Sequence, residues 1–202
     1  VSGIRADSAL PGFKSSIQPI LATTKVRHVG EPIAACLAIS RARAEDLAES
    51  VDVVFDELPA VHDLKQARDP AAAQLHEDWG ENVFLESAVD INFETAVEGA
   101  ASIVTRQYQT ARQCMAPIEG RGLVAVWDRT LEVLTIHSAT QMPHIVRTGL
   151  AGCLGLDHGQ IRVIAPDVGG GFGYKGILLA EEVCAGFLAM RLDRPIRWIE
   201  DR

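Results

Sequence analysis

No apolar run in the 202 residues approaches the roughly 18 needed to cross a bilayer, and the mean hydropathy is only +0.10. A membrane-spanning protein is thereby excluded. The N-terminus, Val1-Ser2-Gly3-Ile4-Arg5, has no charged region followed by an apolar stretch, so no signal peptide is expected. It also lacks an initiator Met, which points to a processed or cut start. Basic blocks are missing. Lys and Arg number 19 against 27 Asp and Glu, a formal net charge of −8. Phosphate contacts need clustered cations, so a nucleic-acid partner is not expected. The four cysteines (Cys36, Cys114, Cys153 and Cys184) form no CxxC pair, and the six histidines show no zinc-type spacing. No protein metal ligands are expected. Repeats and low-complexity tracts are absent too. What remains is an ordinary globular composition, 48% hydrophobic and 23% charged, able to bury a core as one large or two small domains. Cys36 and Cys184 sit in apolar runs and are expected to be buried, reduced thiols in a cytoplasmic setting.

Along the chain, Ile33–Ile39 is a continuous apolar run that suits a strand covered on both faces. Ser40 is a candidate N-cap for a helix over 41–50. Val51–Phe55 reads as a second strand, which makes an α/β unit closed by Leu58-Pro59. Residues 62–82 read as a connection without periodicity, and a boundary is expected there. Further on, Phe93–Gly99 is a short helix and Ser102–Thr110 a strand. Gly122–Trp127 and Leu131–Ser138 form a hairpin about Asp128-Arg129-Thr130. Pro143 opens a helix running to about Cys153, closed by Gly155. Ile161–Ile164 is a strand, and Ile177–Met190 a helix with Leu179, Val183, Phe187 and Met190 at helical spacing. A final strand begins at Pro195. The chain stops with that strand barely finished, so the C-terminus also reads as cut.

The most informative segment is Asp167-Val168-Gly169-Gly170-Gly171-Phe172-Gly173-Tyr174-Lys175-Gly176, between a strand and a helix. Four glycines in the five positions 169–173 let backbone approach a ligand and take positive φ. Free N–H groups and the following helix N-terminus suit an oxyanion such as phosphate, with Lys175 adding charge. One reading is a tight turn with no ligand. Another is an NAD(P)- or FAD-binding oxidoreductase, because Gly171-Phe172-Gly173-Tyr174-Lys175-Gly176 satisfies GxGxxG and Glu200-Asp201 ends the next strand. That motif needs its first glycine directly after the strand, whereas Pro166–Gly170 intervene here. A Walker A loop fails, since Lys175 precedes Gly176 rather than Ser or Thr.

A third reading comes from resemblance. The stretch Ile164-Ala165-Pro166 followed by 167–175 resembles the pterin-binding signature of the molybdenum hydroxylases, the family of xanthine dehydrogenase, aldehyde oxidase and the aerobic carbon monoxide dehydrogenase large subunit. Five further stretches agree in the family's order. Residues 25–34, with 44–49 and 56–61, are similar to its hammerhead domain. Arg112-Gln113-Cys114-Met115-Ala116-Pro117-Ile118-Glu119 resembles the start of the cofactor-binding region. Thr140-Gln141-Met142-Pro143-His144-Ile145-Val146-Arg147 resembles its glutamine motif, and 194–202 closes the match. The resemblance covers nearly the whole chain from Leu21 on.

The resemblance implies a molybdenum–molybdopterin cofactor of the cytosine dinucleotide form. It also implies substrate hydroxylation with oxygen from water, and iron–sulfur clusters and FAD on other subunits or domains of an oligomeric enzyme. Gln141 matches the glutamine that bonds an oxo ligand of the metal, a task suited to an uncharged amide donor. Phe172 and Gly173 match residues at the metal's ligand sphere, and Gly170 and Gly171 the close-approach glycines. Gly176 stands where xanthine dehydrogenases carry a purine-binding glutamate, so purine is not the expected substrate; an aldehyde, a heterocycle or carbon monoxide is. The family's general base is expected beyond Arg202, so the isolated chain is expected to show no turnover.

Bland roles are expected elsewhere: Glu119 as a buried, paired carboxylate, His144 at the surface, Glu181 and Glu182 on a polar helix face, Tyr174 and Trp198 in packing. The resulting expectation is an α+β fold. It comprises a hammerhead-like α/β unit with its connecting segment over 1–82 and the first part of a mixed α/β molybdopterin-binding domain over 83–202. An inactive structural or interaction module is the non-enzyme alternative.

Overall fold

The computed structural model describes residues 1–89 and 91–201. Arg202, the last residue of the closing match, lies outside them. At the N-terminus β1 (Ile4–Ala6) pairs antiparallel with β2 (Ser16–Gln18), Ile4 opposite Gln18. Ser2 ties this hairpin to a later helix. Its N–H donates to the Cys153 carbonyl at 3.0 Å and its hydroxyl to the Gly152 carbonyl at 3.1 Å. These are carbonyls that a helix end otherwise leaves unpaired.

Helix α1 (Arg41–Glu49) begins where its cap places it: Ser40 is extended and its hydroxyl oxygen accepts from the Arg43 N–H at 3.4 Å. The strands expected on either side, Ile33–Ile39 and Val51–Phe55, do not form, and neither does Ser102–Thr110. A strand persists only where a neighbour satisfies its backbone groups, and no described residue pairs with these stretches. Val54 and Tyr108 are 90% and 88% exposed. Of the expected strand–helix–strand unit, the helix alone is present.

Residues 62–82 are not structureless. Helix α2 (Leu64–Ala67) is capped by Asp63, whose carboxylate accepts from the Lys65 and Gln66 N–H groups at 2.8 and 3.0 Å. A single 3₁₀ turn spans Glu77–Trp79. The Trp79 indole donates to the Ser15 carbonyl at 3.0 Å, and Lys14 pairs with Glu81 at 2.7 Å. Polar side-chain contacts to residues 14–15 organise this stretch, which is why hydrophobic periodicity does not reveal it. Helix α3 (Phe93–Glu98) forms where expected and ends at Gly99.

The core lies in the second half of the chain. Strands β3 (Gly122–Asp128) and β4 (Val133–Ser138) form the expected hairpin. Then come α4 (Pro143–Leu154), β5 (Ile161–Ile164), α5 (Ala180–Leu192) and β6 (Ile196–Ile199). The sheet order is β5-β4-β3-β6, with β4 and β5 parallel and the other pairs antiparallel. Strand β4 starts two residues later than its apolar pattern, because Glu132 takes a left-handed turn (φ 53°). Leu123 and Ala125 of β3 and Leu134 and Ile136 of β4 point to one face and are buried with Val146, Leu150 and Val183 of the two helices. Leu134, Ile136, Val146, Leu150 and Val183 are wholly inaccessible, and each such burial contributes about 1.5–3 kcal/mol. Helix α5 lies close to the sheet because Gly186 faces it. An added Cβ would stand 3.1 Å from Leu134 Cδ2 and 3.3 Å from Leu154 Cδ1.

Helix α4 starts at Pro143 and ends at Gly155, which takes φ 68° and returns its N–H to the Ala151 carbonyl at 3.0 Å. Helix α5 begins at Ala180 rather than Ile177. Leu179 is extended, and the Glu182 carboxylate turns back to its N–H at 3.1 Å. Phe187, one of the apolar residues at helical spacing, is exposed, while Ala180, Ala185, Gly186 and Ala189 are buried. No helix among the described residues is long and apolar enough to cross a membrane.

Candidate cofactor-binding edge

The sheet topology gathers the residues of interest at one edge. Strands β4 and β5 are parallel, so the segments leaving them, 139–141 and 165–176, emerge on the same side. Strand β3 runs the other way, which brings its entry, Glu119 to Arg121, to that side. Strand β6 is antiparallel to β3, so Glu200 leaves there as well. Crevices beyond the carboxyl ends of parallel strands are where open α/β sheets bind ligands.

Gln141 and the glycine segment meet directly. The Gly173 N–H donates to Gln141 Oε1 at 3.0 Å, and the Gln141 N–H donates to the Lys175 carbonyl at 2.9 Å. The Thr140 hydroxyl donates to the same carbonyl at 3.2 Å. Gly170, Phe172 and Gly173 have φ of 97°, 52° and 88°. Gly171 is required for another reason: a Cβ there would stand 2.3 Å from Gln141 Cδ. Phe172 is 73% exposed, with its ring beside Gly170. Among the described residues, nothing accepts a hydrogen bond from Gln141 Nε2 or from the N–H groups of Gly171 and Phe172. The Gln141 amide and two backbone donors of the glycine turn packed against it thus stand uncommitted, a donor set suited to an anionic or oxo-bearing group.

Glu119 is paired as expected but only partly buried, with 41% of its side chain exposed. Its carboxylate accepts from Lys175 Nζ at 2.6 Å and from the Gly169 N–H at 2.7 Å, which hold it below the ordinary glutamate range. Lys175 is the reverse of the expected open cation. Its side chain is wholly buried and spent on Glu119. A second ion-pair cluster sits next to it. Arg121 reaches Glu200 at 2.5 Å and Glu181 at 3.2 Å, with its guanidinium 5.2 Å from the ring centres of both Tyr174 and Trp198. The Tyr174 hydroxyl donates to Glu200 at 2.5 Å. Partial burial alone would raise Glu200, yet the bonds from Arg121 and Tyr174 bring it down to about 2.

Glu182, expected on a polar face, is instead buried. Its Oε1 accepts from the Ser138 hydroxyl at 2.6 Å, and its desolvation raises its pKa. His144 is exposed, as expected. Cys36 and Cys184 are half-buried, Cys153 is the buried cysteine, and all four are unpaired. No cluster of metal-ligating side chains is found among the described residues. The dinucleotide reading is not favoured by this arrangement. Strand β5 ends at Ile164 and α5 begins only at Ala180, so the GxGxxG glycines lie in neither the turn after the strand nor the first helical turn. Glu200, the acid at the end of the next strand on which that reading also relied, is committed to Arg121 and Tyr174.

Fold and edge define the class: a mixed α+β domain with a glycine-rich cradle at the carboxyl ends of parallel strands. Residues 75–202 match the molybdopterin cofactor-binding domain. Over 204 residues the chain is 34% identical to the nicotine 6-hydroxylase large subunit of Paenarthrobacter nicotinovorans, covering 100% of this chain and 25% of that protein. It is 32% identical to the carbon monoxide dehydrogenase large chain of Hydrogenophaga pseudoflava, covering 96% and 26%. The crystal structure of quinoline 2-oxidoreductase from Pseudomonas putida 86 superposes with a TM-score of 0.92 at 39% identity, covering 99% of this chain and 25% of that one. The chain belongs to the molybdopterin cofactor-binding domain family of the molybdenum hydroxylases. It spans about a quarter of the length of the curated relatives it matches.

Proposed function

We propose that this chain contributes the first part of the cofactor cradle in the molybdenum-binding subunit of an oxidoreductase. That enzyme would oxidise or hydroxylate a small substrate (an aldehyde, a heterocycle or carbon monoxide) with oxygen from water. When bound, the molybdenum–molybdopterin group supplies the two-electron redox centre for that reaction. The protein's share here is orientation. Gln141 is fixed at Oε1 by the Gly173 N–H, which leaves Nε2 directed as a donor. Gly170, Gly171 and Gly173 permit close approach, and the Phe172 and Gly171 N–H groups add donors. Fixed donors of this kind stabilise developing charge without reorganising. The observation that carries the reading is the Gly173–Gln141 hydrogen bond, with an uncommitted amide end beside two uncommitted backbone donors.

On this reading the pterin is the cytosine dinucleotide form, iron–sulfur and FAD subunits receive the electrons, and the assembly is oligomeric and cytoplasmic. The hammerhead-like part occupies 1–82 and the cofactor domain begins at about 83. Gly176 offers no carboxylate to a purine. The relatives that act on nicotine and quinoline support a heterocycle, and carbon monoxide dehydrogenase supports the third class. Purification of the full-length enzyme tests the proposal. About one molybdenum per subunit is expected, and Gln141→Ala is expected to keep the metal while losing about 10²-fold or more in turnover, as for the removal of one fixed donor. A wild-type enzyme without molybdenum overturns it.

A further inference from the structure

Glu119 joins both ends of the glycine segment. Its carboxylate accepts from the Gly169 N–H at one end and from Lys175 Nζ at the other. Its own N–H donates back to the Gly169 carbonyl at 3.4 Å. The Lys175 side chain is fully buried and ends at Glu119, while its carbonyl receives both the Gln141 N–H and the Thr140 hydroxyl. One residue, Lys175, therefore links Glu119 through its side chain to Gln141 through its backbone. A Cβ at Gly169 would stand 2.7 Å from Glu119 Cβ, so the close fit belongs to this contact and not to a ligand.

We propose that Glu119 and Lys175 are positioning residues: their ion pair clasps residues 169–175 and thereby sets the angle of the Gln141 amide toward the cofactor. This rests on the reading of Gln141 given above. Both act through Gln141. Stability and positioning make different demands on the pair. A half-buried ion pair is replaceable by apolar side chains at little loss of stability, whereas removing one partner strands a buried charge. Two methionines cannot bond the Gly169 N–H, so they restore the packing without the clasp.

The test uses the full-length enzyme with Glu119→Gln and the double variant Glu119→Met with Lys175→Met. It reads thermal midpoint, amide hydrogen exchange over 165–177, and substrate kinetics. The clasp predicts that the double variant recovers a midpoint near wild type. Exchange over 169–175 should still be about tenfold faster, and kcat about 10²-fold lower with KM within about twofold. If Glu119→Gln fails to fold, the double variant decides alone. Wild-type loop exchange and wild-type kcat in the double variant overturn the clasp. Hydrogen exchange is read with or without metal, so a wild-type enzyme lacking molybdenum sinks the proposed function while the exchange result still judges the clasp.

Discussion

The Gly171 Cα points at the Gln141 amide so closely that an added Cβ would lie 2.3 Å from Cδ and 2.5 Å from Oε1. Hydrogen at that position is what allows Gln141 to lie flat against the loop and receive the Gly173 N–H.

Gly171→Ala is therefore expected to act on orientation rather than stability. The clash falls on a flexible side chain that swings away, breaking the 3.0 Å bond to Gly173. A displacement of about 1 Å at a reacting centre lowers turnover about 10²-fold. The thermal midpoint should move by only a few degrees, and molybdenum content should be kept. Gly152→Ala on α4 is the control. A methyl group added there would meet nothing within 4 Å, and alanine in a helix gains up to about 1 kcal/mol over glycine. Unchanged turnover in Gly171→Ala counts against the role given to Gln141.

Arg121 and Glu200 are 79 residues apart in sequence and half of one contact in space. Glu200 is held at about 2 against an ordinary 4.5. A depressed carboxylate adds stability above its unfolded pKa, and that stability is lost as pH falls from about 4.5 through about 2. The upper figure is on the order of 3 kcal/mol for such a shift. Arg121→Met should thus destabilise the fold most at neutral pH. Its acid unfolding curve should be flatter than wild type between pH 5 and 2 (roughly the titration window). Urea unfolding across that range reads the difference, and parallel curves would contradict it.

The distance between such partners explains what the sequence conceals. The β3–β4 hairpin, the Ser40 cap, Pro143 and Gly155 are local signals, each satisfied within a few residues, and all appear in the structure. Ile33–Ile39, Val51–Phe55 and Ser102–Thr110 carry equally good strand patterns and form none, because ladder partners are not a local property. At the site, Gln141 and the glycines are legible through motif resemblance. The Arg121–Tyr174–Glu200 cluster and the burial of Lys175 and Glu182 are not. They depend on which strand ends the topology brings to one edge, which no spacing within a segment encodes. Lys175 reads as a free charge in sequence because its counter-ion lies 56 residues earlier.

Glu182 gives the sharpest test of burial against hydrogen bonding. It lies in the first turn of α5, where an acid is favoured by the helix dipole. It accepts from Ser138 Oγ at 2.6 Å and from the Leu179 N–H at 3.1 Å. Both bonds favour the charged form, yet desolvation outweighs them and the pKa is raised above 4.5. A raised carboxyl gives stability that is complete below the unfolded pKa and is lost as pH rises through the folded one. Glu182→Gln keeps an acceptor for the Leu179 N–H and an amide for the Ser138 hydroxyl, without a charge to bury. It should match wild type near pH 4 and exceed it at pH 8, the gap opening as pH rises. Glu182→Leu removes the acceptors and should be weaker at every pH, by about 1–3 kcal/mol for each buried donor left unpaired. Urea unfolding at several pH values separates the two variants. A gap between wild type and Glu182→Gln that stays constant with pH would show that burial does not outweigh the hydrogen bonds, and a gap that closes as pH rises would show that the hydrogen bonds set the state of this carboxyl.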